Sequence, residues 1–90
     1  MKFYYVYVLY NYSKKFIYIG YSENLIDRFH YHNSGKVLST KNLIPLQLIF
    51  YEAYLDKSDA KRRENYLKTN RGRKTLLTML SNFCTKNSVS

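Results

Sequence analysis

From Phe3 to Tyr10 every residue except Leu9 is aromatic or β-branched, and after the polar stretch Asn11-Tyr12-Ser13-Lys14-Lys15 the same character returns from Phe16 to Gly20. Such side chains fill a pleated surface and lose rotamer freedom in a helix, so the two runs specify a β-hairpin with a polar turn. Leu46 to Tyr54 is again rich in strand formers and supplies a third strand. Ninety residues hold one core, and a core of that size tolerates few polar intrusions.

The segments around these strands read as helix and loop. Ser22 offers an N-cap hydroxyl for a first helix, which ends at Asn33-Ser34-Gly35, where glycine takes the left-handed conformation that closes a helix. Lys36 to Pro45 reads as loop. A second helix starts after Asp56 or Ser58 and runs to about Lys68. A break is expected at Thr69-Asn70-Arg71-Gly72, then a third helix over Thr75 to Phe83, carried by Leu76, Leu77, Met79, Leu80 and Phe83. The expectation is a single α/β (more narrowly α+β) domain over residues 1–84, in the order β-β-α-β-α-α, with three helices flanking a small three-stranded antiparallel sheet. Residues 85–90 are expected to be a frayed tail.

Fifteen Lys+Arg against six Asp+Glu give a net charge of +9 and a pI near 9.7, enough to attract a polyanion with an affinity that falls with salt. The charge is concentrated late in the chain, where residues 57–90 hold nine basic and two acidic side chains. Nucleic acid is the leading partner. A membrane-surface helix is the competing reading, but the apolar stripes are needed for the core. The lone Cys84 excludes an internal disulfide and a multi-thiolate metal site. The Tyr-rich start lacks the pattern of a signal peptide and no run is long enough to span a bilayer, so cytoplasm is the expected compartment.

Two charges fall where apolar residues belong. Leu25, Phe29 and His32 make one helical stripe with Arg28 inside it, and Glu64 lies between Ala60 and Leu67 on the next. An inward charge costs several kcal/mol (order of magnitude) unless it is paired, metal-bound or open to a cleft. Across the hairpin, Tyr7 and Tyr18 are expected to face each other, with Gly20 letting the chain turn closely into the helix. Arg28 and His32, four apart, are neighbours that converge on these phenols, and Glu64 arrives from the second helix. Each has a plainer alternative: tyrosines that merely pack across a strand pair, an arginine paired with Asp27 or Glu23, a glutamate bridged to Lys61 or Lys68.

Taken in order, these residues resemble the GIY-YIG nuclease family. Tyr5-Val6-Tyr7 stands at the first motif, with Tyr5 in place of the glycine, and Tyr18-Ile19-Gly20 matches the second. Asn24-Leu25 with Arg28, then His32-Asn33-Ser34-Gly35-Lys36, then Lys61-Arg62-Arg63-Glu64-Asn65-Tyr66-Leu67-Lys68 look like the remaining blocks, so the likeness runs from about Tyr4 to Leu80. It is most similar to the short single-domain subgroup that resembles the catalytic domain of the bacterial excision-repair incision subunit. The resemblance implies one divalent cation, Mg2+ or Mn2+, held by Glu64. It also implies that Tyr7 orients or deprotonates the attacking water and that Arg28 contacts the scissile phosphate. The family's late asparagine is left open between Asn70 and Asn82.

Phosphodiester hydrolysis needs an activated nucleophile, neutralised phosphate oxygens and a stabilised leaving oxygen. A guanidinium matches phosphate geometry, Tyr18 completes a hydrogen-bond network, and His32 is expected to accept or relay a proton near neutral pH. Glu52 on the third strand is the rival metal ligand. Two histidines without cysteine partners do not make a zinc site, and His30 is taken as surface. Lys36, Arg62, Arg63, Lys68, Arg71, Arg73 and Lys74 are expected to contact backbone phosphates. The leading expectation is a metal-dependent DNA endonuclease in repair, recombination or processing. The alternatives are a catalytically weak nucleic-acid-binding module on the same fold and, last, a protein whose tyrosine-rich face docks a partner.

Overall fold

In the computed structural model, which describes residues 1–89, strands β1 (Tyr4–Asn11) and β2 (Phe16–Ser22) pair antiparallel and β3 (Gln47–Tyr54) joins the other side of β1. The order β2-β1-β3 puts the most continuous aromatic and aliphatic run in the centre, where Val6 to Tyr10 are almost completely buried. Alternate residues of β1 serve two faces. Val6, Val8 and Tyr10 join Ile17 and Ile19 in packing against Ala60, Leu67 and Leu76, which belong to helices α2 (Lys57–Leu67) and α3 (Asn70–Met79). Tyr7 and Leu9 face the other way, toward Leu46 and toward Leu25 and Phe29 of helix α1 (Leu25–Asn33). Each fully buried aliphatic side chain contributes about 1.5–3 kcal/mol.

The helix starts follow local capping. The α1 cap is Asn24 rather than the expected Ser22: the Asn24 side chain accepts from Asp27 N, while Ser22 Oγ accepts from Asn24 N and shapes the approach. Asp56 caps α2 through Ser58 N, and Gly35 takes the expected positive φ, +79°. The chain has four helices rather than three. The polar stretch expected to be a break is the start of α3, because the Thr69 side chain accepts from Gly72 N. At Leu80 the backbone leaves helical geometry, and helix α4 (Ser81–Asn87) follows. Residues 85–87 of the expected tail are therefore helical, and Val89 packs against the core. Ser90 lies outside the described residues. Among the described residues no helix is long and apolar enough to cross a membrane.

The loop between α1 and β3 is pinned rather than loose. Asn33 Nδ2 donates to Leu46 O (2.9 Å) and Asn33 Oδ1 accepts from Leu46 N (2.7 Å). Asn11 Nδ2 donates to Leu43 O and, at 3.3 Å, to Pro45 O. These ties hold Thr40, fully buried, beneath α1.

Candidate active site

The hairpin register places Gly20, not Tyr18, directly opposite Tyr7, and Tyr18 opposite Leu9. The expected face-to-face phenol pair is thus a diagonal one, with ring centroids 6.3 Å apart, as the even spacing of a strand face allows. Gly20 matters for a different reason from the close turn. A Cβ there would stand 2.5 Å from both Cζ and Oη of Tyr7, so the phenol lies in the space that a side chain at position 20 would fill.

Around that phenol the sequence-expected groups gather. Tyr7 Oη lies 2.8 Å from His32 Nε2 and accepts from Arg28 Nε at 3.4 Å. The His32 ring also meets the Tyr18 ring edge-on, centroids 4.9 Å apart, and its Nδ1 lies 2.9 Å from Thr40 Oγ1. Burial pushes the Tyr7 phenol up to about 12, with Arg28 pulling the other way and the Glu64 charge adding to the rise. Burial, and then the Arg28 charge, push His32 down to about 4. His32 is therefore neutral at physiological pH, which removes the physical basis for the proton relay near neutrality expected from its ordinary pKa. The hydrogen bond to Tyr7 holds Arg28 firmly in its charged form, and the guanidinium also lies 5.4 Å over the Tyr31 ring.

Glu64 approaches from the other sheet face. Its carboxylate is 8% exposed and is held by Lys68 Nζ at 2.8 Å and Lys61 Nζ at 3.7 Å. Lys61 lies 4.4 Å over the Tyr21 ring, and Lys68 lines a groove with Tyr18, Ile19 and Arg73. The carboxylate therefore sits along edge strand β2, near enough to the Tyr7 phenol to raise its pKa. No group of three or more His, Cys, Asp or Glu side chains is placed to hold a metal among the described residues. One buried carboxylate does suit a Mg2+ ion that keeps most of its waters and takes further oxygens from a phosphate. Glu52, the rival ligand, is tied into the fold by Arg63 Nε and Nη2 (3.0 and 3.2 Å) and by the Tyr54 hydroxyl (2.6 Å).

The basic residues divide. Arg63 is bound to Glu52, Arg62 to Asp59 (2.7 Å) and Lys68 to Glu64, whereas Arg71 and Lys74 are exposed and have no carboxylate partner among the described residues. Lys36 Nζ lies 6.0 Å from the centroid of the Tyr31 ring, the ring that Arg28 also approaches. Asn70 and Asn82 are both exposed, one opening α3 and the other on α4, and His30 faces solvent. Thr40 was not foreseen, since a polar residue in a polar loop carries no pattern that marks it as buried.

The GIY-YIG catalytic domain model matches residues 3–76. The chain belongs to the GIY-YIG family. GIY-YIG domains are endonuclease domains, and GIY-YIG nucleases act on DNA. The match spans the sheet, α1, α2 and most of α3 and stops short of α4, so every residue around Tyr7 and Glu64 falls inside it. A UPF0213 protein of Limosilactobacillus reuteri is 40% identical over 68 residues, covering 72% of this chain and 70% of the relative. UPF0213 proteins of Staphylococcus haemolyticus and Lactiplantibacillus plantarum are 41% and 39% identical, over 59% and 71% of this chain. The chain spans 66% and 65% of the length of those two. No solved structure matches the chain.

Proposed function

We propose that this GIY-YIG domain is a metal-dependent endonuclease that hydrolyses DNA phosphodiester bonds in repair, recombination or processing. The observation that carries the reading is the Tyr7 phenol set between the Arg28 guanidinium and the His32 imidazole, with the buried Glu64 carboxylate acting on it from across strand β2. Arg28 spends only Nε on Tyr7, which leaves its terminal nitrogens for the oxygens of a scissile phosphate. Tyr7, protonated at pH 7, orients the attacking water by hydrogen bonding and takes a proton from it only when added positive charge lowers the phenol pKa. The neutral His32 packs edge-on against that phenol and Tyr18 packs against it at a tilt, which together hold it in place. Glu64 is the residue that would hold a single Mg2+ or Mn2+, which when bound neutralises phosphate charge and stabilises the leaving oxygen.

The test is cleavage of labelled DNA by the purified chain with Mg2+. Glu64→Gln keeps the shape of the side chain and removes its charge, and it should lower cleavage by at least about 10²-fold while binding and melting temperature stay close to wild type. Equal cutting by both proteins would refute the assignment. The weaker reading, a nucleic-acid-binding module with poor turnover, is favoured by the two lysines that already neutralise Glu64. A metal titration separates the two: a simple binder gains neither affinity nor cleavage from the cation.

A further inference from the structure

Three tyrosines are exposed: Tyr12, Tyr31 and Tyr51. Tyr12 meets Tyr10 and Phe83 edge-on and Tyr51 meets Tyr5 in the same way, so those two rings are engaged in packing. The Tyr31 ring, near the C-terminal end of α1, is 43% exposed and has no aromatic ring against it among the described residues. Its neighbours are cations instead, Arg28 Cζ at 5.4 Å and Lys36 Nζ at 6.0 Å from the ring centroid. Neither cation forms an ion pair among the described residues. Asp27, which lines an open groove with Ser22, Asn24, Arg28 and Tyr31, accepts from Asn24 Nδ2 at 2.9 Å. A lone exposed tyrosine is ordinary on a protein surface. The position of this one is not, because the guanidinium beside the ring also donates to Tyr7 Oη at 3.4 Å.

Phosphates of one DNA strand follow each other at roughly 3.4 Å along the axis. The 5.4 Å from Arg28 Cζ to the ring is less than two such steps, so a phosphate held by Arg28 brings an adjoining nucleoside to Tyr31. A base inside a duplex has both faces covered by its neighbours, whereas an unpaired base can leave the stack and lie on an aromatic ring. We infer that Tyr31 is a stacking platform for an unpaired nucleobase next to the scissile phosphate, with Arg28 and the flexible Lys36 holding phosphates that flank that base. The substrate class is then DNA with an unpaired strand at the cut, not continuous duplex. This assignment of substrate rests on the proposed nuclease function, whereas the stacking contact does not require cleavage.

The chain contains no tryptophan, so Tyr31→Trp in the full chain places a single fluorophore at the platform. Its emission should be quenched by a single-stranded DNA oligonucleotide and stay unchanged with a duplex of the same sequence closed by a hairpin at each end. At one fixed salt concentration, Tyr31→Leu, which keeps an apolar side chain without the ring, should lose at least about fivefold in affinity for the single strand and nothing for the closed duplex. Tyr31→Phe should bind like wild type. Wild type should cut the single strand faster than the closed duplex, and Tyr31→Leu should lose that preference. Emission unmoved by the single strand, or equal losses of affinity for both DNAs, as expected of a ring that only steadies Arg28, would overturn the inference. Quenching in a protein that cuts neither DNA would uphold the stacking contact and refute the nuclease reading, whereas cleavage without quenching would leave that reading standing and remove the platform.

Discussion

A methyl group at position 20 would stand 2.5 Å from Cζ and Oη of a tyrosine that is 1% exposed and held by both His32 and Arg28. The phenol has no room to yield without leaving its partners. Gly20→Ala should therefore displace Tyr7 Oη and lower cleavage by roughly 10²-fold, with a stability loss of about 1–3 kcal/mol. Turnover of labelled DNA and thermal melting check this, and a Gly20→Ala variant that cuts like wild type would show that the phenol position is not critical. His32 makes a second prediction at the same scale. Its folded pKa, about 4, lies below the ordinary 6.5, so between these values the unfolded chain binds the proton that the folded chain refuses. Stability from this group is complete above pH 6.5 and declines as the pH falls toward 4, by on the order of 3 kcal/mol in total. Urea unfolding from pH 7 to pH 4 should show a steeper loss for wild type than for His32→Gln; parallel curves would contradict the assigned burial.

Elements were legible to the degree that their signals are local. The aromatic runs of β1 and β2 and the positive φ of Gly35 follow from residue types within a few positions of one another, and each appears where those types place it, while of the two caps open for α2, Asp56 and Ser58, the structure uses Asp56. The stripes that carry Arg28 and Glu64 were legible for the same reason, because helical spacing alone puts both inward. What escaped depends on partners distant in sequence. The pairing register sets Gly20 rather than Tyr18 against Tyr7, and a pattern of alternating residues does not distinguish registers that preserve the same face. The α3 start reads as a break because Asn70 and Gly72 are poor helix-interior residues, yet glycine is what the packing needs: a Cβ at position 72 would stand 1.8 Å from the Tyr66 carbonyl oxygen. Glu52 looked available for a metal because its partner, Arg63, is eleven residues away on a helix. Thr40 is the same case, a polar loop residue whose burial depends on the ties made by Asn11 and Asn33.

Across the whole molecule, positive charge outnumbers negative, but the excess is not evenly available. Each carboxylate that holds an arginine or lysine removes that group from the field a polyanion meets, as Asp59 does for Arg62 and Glu52 for Arg63. Arg71 and Lys74, exposed on α3 next to the groove that Lys68 and Arg73 line along β2, keep their full charge. A DNA backbone drawn to the Glu64 side of the sheet would therefore release counterions mainly at α3. Plotted as log K against log salt, wild-type binding should give a straight line, and Arg71→Ala and Lys74→Ala should each flatten its slope by about 0.9. Arg63→Ala should leave the slope nearly unchanged and instead cost about 1–3 kcal/mol of stability, because it strips a half-buried Glu52 of its guanidinium. A fall in slope at Arg63 as large as that at Arg71 would place the polyanion on the far side of α2, beyond reach of Tyr7 and Arg28, and the active-site assignment would fall with it.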